Sequence, residues 1–481
     1  MTGTSPTSCG RSCASATVPA MPPERGGVMT TAPVGRARRA AIVWDVVEEH
    51  LSEADFLWAQ WERLLEAPDH SLAEVREDDE PRLTAHLEGL IVGGHQVATR
   101  LLLPLLEGGQ DMPRVCAAAS ALLGATDTDW LETLLERLPE GDEDLVQGLA
   151  RALELSGRED VSAALLRRLP ELAPERQSVV LDVLCRRQSD PGDILARMAG
   201  AAAPLKAAAV RAARFAPLAL ATDLVRQGLA AEEEAVRLAA LETGLWRGLP
   251  AAWVACRSAI PAGGTQARLG LFALAVGGTA KDLEQVVAST REASLREEAV
   301  WALGFSGRLA AAEALLGVLK EDGSPLAAES FAAITGLPLR TPFVEEVEEP
   351  EPDVREPGED TEEAVRAAEA PRGLLPAPAV VAHQVQVAEA ERWWARERGR
   401  FSAEGRFLYG HPHGAQALLA ALEGAPMRRR PALCLEVAIR SEGHCVIEPR
   451  AWTSVQHPRA KALSQVRPRN LAVTFEGLRA R

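Results

Sequence analysis

The chain has 481 residues, a formal net charge of −16 and 47% apolar but only 4% aromatic residues, so it can build a large core yet repels phosphate backbones. Strand-like alternation of β-branched and aromatic residues is nearly absent, which points to an all-α fold, and the acidic charge disfavours nucleic acid as a partner. No apolar run approaches the roughly 18 residues that span a bilayer, so no membrane partner and a cytoplasmic location are expected.

The first section, residues 1–36, is rich in Ser, Pro and Gly and reads as disordered. It lacks the apolar centre of a signal peptide, and Met29 is a candidate start. Cys9 and Cys13 form a C-x3-C pair without further ligands, which makes no metal site. All seven cysteines (Cys9, Cys13, Cys116, Cys185, Cys256, Cys434 and Cys445) are scattered, and four of them fall inside apolar helical patterns. Free thiols in a reducing compartment are expected.

Residues 37–110 read as an N-terminal helical cap. AAIVWDVVEEHLSEADFLWAQWERLLEAP suggests two helices broken near Ser52, where the hydroxyl caps and Glu53 and Asp55 favour a helix start. Trp44, Phe56, Trp58, Trp61, Leu64 and Leu65 are the expected anchors. A second pair divides at Gly93–Gly94. In its RLTAHLEGL stretch Arg82 and His86 lie one turn apart with Glu88 close by. No nucleophile or cofactor loop accompanies them, so surface or interhelical hydrogen bonding fits better than proton transfer.

Residues 111–340 carry repeats. SLREEAVWALGFSGRLAAAEALLGVLKED, Ser294 to Asp322, is the best formed. Leu295, Ala299, Ala302 and Leu303 make one apolar stripe, Gly304 and Gly307 break it, and Leu309, Ala312, Leu315, Leu316 and Leu319 make another. Weaker first helices appear in VCAAASALLGA, LVQGLARALELSG, SVVLDVLCRRQ, LKAAAVRAARFAP, EEAVRLAALETGL and ARLGLFALAVGG. The breaks imply a period of about 30 residues, and units this short must stack to share a core.

Residues 341–380 form an acidic, proline-rich linker, expected to be extended and solvated. Residues 381–460 read as a small helical C-terminal module, and 461–481 as a tail of little periodicity. In the module Trp393 and Trp394 cannot share one helix face, so one is core and the other covers the linker junction or a partner. Arg428, Arg429 and Arg430 suit a phosphate, an acidic surface or the acidic linker, although a solvated helix start is the commoner role of such a run. His411, His413, His444 and Cys445 match no zinc-ligand spacing, and GHPHG reads as a plain turn. No G-x-x-x-x-G-K-[ST], G-x-S-x-G or H-E-x-x-H occurs. No catalytic residue, cofactor or metal is expected. Arg82, His86, Trp393, Trp394 and Arg428 to Arg430 are the candidate partner-binding residues.

At RLTAHLEGL, FAAITGLPL, ERWWARERGRFSAEGRFLYG, RRRPALCLEVAIRS and RAWTSVQ the chain resembles a largely uncharacterised bacterial family with HEAT-like repeats, met in myxobacteria and pseudomonads. The resemblance runs from about Ile42 to Gln456. Members tend to be encoded near type VI secretion effector and adaptor genes, which implies an accessory, chaperone or adaptor role. The family brings no established catalytic residues. The combined expectation is a right-handed α-solenoid whose C-terminal module folds back to cap the last repeat. Its function would be that of a non-enzymatic protein-binding scaffold. The alternatives are a HEAT-like enzyme or nucleic-acid-binding protein, and a self-associating structural protein.

Overall fold

The computed structural model describes residues 42–346, 373–378 and 383–478, and within them the fold is helical apart from two short strand pairs. The expected disordered start, Met29 and the acidic run at 347–372 lie outside the described residues, whereas the described parts of the expected solvated linker 341–380 bury Val344 and Leu375 in the core. No single described helix is long and apolar enough to cross a membrane.

A row of helices, each packed on the next, organises the chain: α1 (Trp44–Leu64), α2 (Met112–Gly124), α3 (Glu143–Leu155), α4 (Pro174–Arg186), α5 (Ala203–Ala212), α6 (Glu234–Trp246), α7 (Gly264–Gly277), α8 (Arg296–Ser306) and α9 (Pro325–Thr335). From α2 onward the row helices start roughly every 30 residues. Helices Leu218–Leu229, Pro250–Ala259, Ala280–Ser289 and Leu309–Asp322 each pack on the row helices before and after them. Alanines make the close approach feasible: Ala117, Ala118, Ala119 and Ala121 are buried on α2, and Ala207, Ala208, Ala209 and Ala212 on α5. Neighbours are also tied by polar groups. Arg211 grips Asp182 at 2.8 and 2.7 Å, and Thr243 Oγ1 donates to the Val210 carbonyl at 2.9 Å.

Late row helices are buried on every side. On α8, every residue from Ala299 to Ser306 is buried, and on α9 every residue from Leu326 to Thr335. A helix flanked by row neighbours and an outer helix still has one face left, and an apolar face there needs cover. The C-terminal section supplies it. It comprises α10 (Val387–Glu397), α11 (Ala415–Gly424), α12 (Arg430–Arg440) and α13 (Thr453–Ala460). Strands β1 (Val344–Glu346) and β2 (His383–Val385) pair antiparallel, with Val344 opposite Val385, as do β3 (Phe407–Leu408) and β4 (His411–Pro412).

Backbone bonds trace the section along the row. Phe407 N–H donates to Gly307 O at 2.7 Å, Tyr409 N–H to Ala333 O at 2.7 Å, Met427 N–H to His70 O at 2.8 Å and Phe475 N–H to Gly277 O at 2.9 Å. Gly307 and Gly336, at the ends of α8 and α9, have φ of 68° and 77°. A Cβ there would stand 2.5 Å from Phe407 O and 2.7 Å from Tyr409 O. Both the left-handed turn and the docking of the β3–β4 hairpin therefore require glycine. All these elements belong to one compact unit from Val43 onward.

Several expectations are corrected. Helix α1 runs unbroken past Ser52, which is exposed, because Leu51, Ala54, Leu57 and Trp58 continue the buried stripe without a breaker. Phe56 is 59% exposed and anchors nothing. GHPHG is no plain turn, since His411–Pro412 pairs with Phe407–Leu408. The C-terminal section does more than cap the last repeat, because its contacts extend from α9 back to α1. The tail is also structured, with a helix at Pro468–Ala472 and Phe475 buried against Trp253 at 5.7 Å.

Candidate functional site

The arginine run starts from the short turn before α12, and it points inward. Arg428, Arg429 and Arg430 are 2%, 1% and 1% exposed. Arg428 Nε donates to Glu329 Oε1 on α9 at 3.2 Å, and Arg429 Nη1 reaches the same oxygen at 3.4 Å. The Arg429 guanidinium also lies 4.4 Å from the Trp301 ring and 4.1 Å from Phe305, both on α8. Arg430 donates to the Leu422 carbonyl at 2.8 Å and to Gln456 Oε1 at 2.7 Å. This corrects the solvated-start reading: aromatic faces, a buried carboxylate and carbonyls replace water around the run. In this fold the intramolecular partner is Glu329, and an outside protein does not reach these side chains.

A second buried cluster centres on Glu436 of α12. Its Oε1 accepts from Arg406 Nη1 at 2.9 Å and from Arg440 Nε at 2.6 Å, with His413 Nε2 at 3.3 Å. Burial alone would raise this carboxyl, but Arg406, His413 and Arg440 outweigh it and hold Glu436 well below the usual 4.5. Burial, joined by the charge of Arg406, lowers His413. Burial pulls Arg440 down to about 10 against the attraction of Glu436. The two guanidinium groups then reach the row: Arg406 donates to Ser306 O at 2.9 Å and Phe305 O at 3.2 Å, and Arg440 to Val276 O at 3.0 Å. They satisfy carbonyls at the C-terminal ends of α8 and α7, where a cation is favoured.

This cluster predicts an acid limit. The folded value of Glu436 lies below the unfolded 4.5, so its stabilisation is complete above that pH and is lost as pH falls through the folded value. Glu80 and Glu242, raised by burial, titrate in the opposite sense. Melting temperature should fall as the pH drops below 4.5, and less steeply in Glu436→Gln; identical slopes would remove Glu436 from the account.

Near α1 an open cleft of about 810 Å³ lies between the helix Glu80–Val92 and α13. Glu80 accepts from the Thr453 amide at 2.9 and 3.0 Å, from Thr453 Oγ1 at 2.5 Å and from Trp61 Nε1 at 3.2 Å. Across the cleft Glu423 binds Arg76 at 2.6 Å and His457 at 2.7 Å. Burial raises Glu80, while hydrogen bonds from His457 and Arg76 overcome burial and lower Glu423. A split carboxylate pair is an acid–base signature in enzymes. Here both oxygens of Glu80 are engaged by Thr453 and both of Glu423 by Arg76 and His457, so neither carboxyl is poised for a substrate.

Trp452 sits beside this cleft, with ring centroids 5.8 Å from Trp58 and 4.6 Å from Trp61. Trp452→Ala should cost about 3 kcal/mol. Urea unfolding followed by tryptophan fluorescence measures it, and an unchanged midpoint would mean that the ring is not packed.

The remaining candidates are dispersed. Arg82 is exposed, and His86 Nδ1 lies 3.2 Å from His50 Nδ1 on α1. Trp394 is buried and Trp393 half-buried beside it: they stack at 6.4 Å, and each meets the Phe331 ring in a T-shaped contact, Trp393 at 6.4 Å and Trp394 at 5.2 Å. His411 is exposed, the His444 ring contacts the Ser441 carbonyl at 2.8 Å, and the buried Cys445 thiol contacts the Arg459 carbonyl at 3.4 Å. Among the described residues no three or more His, Cys, Asp or Glu side chains are grouped to hold a metal ion. Cys116, Cys185, Cys256, Cys434 and Cys445 are free and buried.

Sequence reasoning missed Glu80, Glu242, Glu329 and Glu436, the buried carboxylates that tie the elements together. The last three had a signal: each is a single charge inside an otherwise uncharged helical stretch, LAALETGL, PLAAESFAAI and CLEVAI. No family model, curated protein or solved structure matches the chain.

Proposed function

We propose that this chain is a non-enzymatic, cytoplasmic protein-binding scaffold, an α-solenoid of short HEAT-like repeats whose inner face is filled by its own C-terminal section. Its partner is a protein, and the family resemblance points to a secretion effector or adaptor, with this chain as the accessory. The observation that carries the reading is the division of labour between charged and apolar groups. The buried acids and arginines bind one another across the fold. Exposed large apolar side chains, by contrast, are most frequent near the start of the row, with Val43 just before α1, Val46 and Phe56 on it and Val92 on the next long helix; Leu218, Val254 and Val455 are exposed elsewhere. Exposed Arg82 lies on the same helix as Val92. Exposed apolar side chains at the end of a repeat row are a natural partner surface.

Co-purification of the tagged full-length chain from its native host tests this. A neighbour-encoded protein should be recovered, and Phe56→Asp should reduce its recovery at least tenfold. Recovery of monomer alone across salt conditions would overturn the reading. The same exposed end favours one second reading, stacking of two copies, which light scattering would reveal as a dimer. Burial of Arg428 to Arg430 and Arg440 weighs against a basic stripe for nucleic acid.

A further inference from the structure

Of the chain between Glu346 and His383 the structure describes residues 373–378, Gly-Leu-Leu-Pro-Ala-Pro. Pro376 biases Leu375 toward an extended backbone. Leu375 is 3% exposed and joins the core shared by α6 to α9, and Leu374 packs beside it, partly buried.

The backbone of this segment is gripped from both sides. The Leu374 amide donates to Glu242 Oε1 on α6, and Arg268 Nη1 on α7 donates to the Leu375 carbonyl at 3.2 Å. The turn after α5 and the neighbouring helix α8 hold the two gripping groups ready. Glu242 Oε2 accepts from Arg214 at 2.8 Å, which leaves Oε1 for the amide. Arg268 gives Nε and Nη2 to Glu298 on α8 at 2.9 and 2.8 Å, which leaves Nη1 for the carbonyl. Gly373 comes so close that a Cβ would stand 2.9 Å from Thr265 Cγ2 and 3.0 Å from Glu242 Oε1.

Main-chain bonds of this kind hold any extended peptide, and the apolar seats select its side chains. The β1–β2 pair joins the chain before the segment, at Val344–Glu346, to the chain after it, at His383–Val385. The segment can therefore leave its seat without pulling the row apart.

We propose that the α6–α8 face is a docking groove for an extended leucine–leucine–proline segment of a protein partner, and that residues 373–378 occupy it as an internal competitor. This rests on the scaffold reading above and assigns it a site and a ligand class. A tethered competitor acts at an effective concentration of about 1 mM, so a peptide of about 10 μM intrinsic affinity binds roughly a hundredfold more weakly while the strap is seated.

Fluorescence anisotropy with a fluorescein-labelled peptide of residues 371–380 tests the proposal on the full-length chain. Gly373→Val drives the strap against Thr265 and Glu242 and empties the groove, and Leu375→Asp empties it by a second route. Both variants should bind the peptide at least tenfold more tightly than the unaltered chain. A peptide with both leucines replaced by aspartate should not bind, and Arg268→Glu in the Gly373→Val background should abolish binding. Equal binding to the unaltered chain and both variants, or none to either variant at unchanged melting temperature, overturns the groove. Partner recovery in the native host does not depend on this peptide. A failed peptide alongside a recovered partner therefore removes the groove and leaves the scaffold standing.

Discussion

Glu436→Ala should destabilise the protein by about 3–5 kcal/mol, the largest loss expected of any single carboxylate here. Three basic groups converge on its Oε1, and its side chain and that of Arg440 are almost fully buried. Removing the acid leaves Arg406 and Arg440 without their counter-charge in a dry interior. The penalty is that of an uncompensated buried charge, which exceeds the net worth of the bonds themselves. Glu436→Gln keeps the shape and one acceptor oxygen, so it should cost less. Urea unfolding of both variants checks the order. Equal, sub-kilocalorie losses would show that the cluster is hydrated and that α12 is not seated on the row.

Ala299→Asp should cost a similar amount, about 3–5 kcal/mol, for a different reason. Ala299 is 0% exposed on α8, which packs against α7 and α9. Aspartate there brings an unpaired charge and extra volume into a space sized for a methyl group. Ala310→Asp is the matched control, because Ala310 is exposed on the outer helix Leu309–Asp322 and should shift stability by no more than about 0.5 kcal/mol. Calorimetry on the pair separates a buried stripe from a general intolerance of charge. Equal melting temperatures would mean that the stripe faces water.

The helix row was legible because its signal is local. Leu295, Ala299, Ala302 and Leu303 repeat at helical spacing, and the seven quoted first-helix segments all fall on row helices α2 to α8. The weaker middle segments hold the same spacing, since α4, α5 and α6 start about 30 residues apart. Where the reading failed, it ranked residue type above phase. Phe56 has the size of an anchor, but it lies one turn from exposed Ser52, on the side opposite Trp58 and Trp61.

The destination of the C-terminal section was not legible for a physical reason. A run of three arginines looks solvated unless its carboxylate is known, and Glu329 lies about a hundred residues upstream. Glu80 and Thr453 are farther apart still, and no periodicity links them. Trp394 in the core with Trp393 half-buried beside it, by contrast, follows from helix geometry. Adjacent residues point about 100° apart on a helix, and indole rings are long enough for both to reach Phe331. Local pattern therefore gave the row, whereas the partners that fill its inner face are set by long-range charge and shape complementarity.

The central claim, that the C-terminal section is an integral lining of the helix row, is tested most directly by hydrogen exchange of the full-length chain. The amides of Phe407, Tyr409, Met427 and Phe475 lie at or beyond element ends and bond to Gly307, Ala333, His70 and Gly277. They should exchange as slowly as the amides of α8 and α9, and with the same response to denaturant. Fast exchange at Met427 and Phe475, with α12 protected on its own, would contradict the account and leave a separate module tethered to the row.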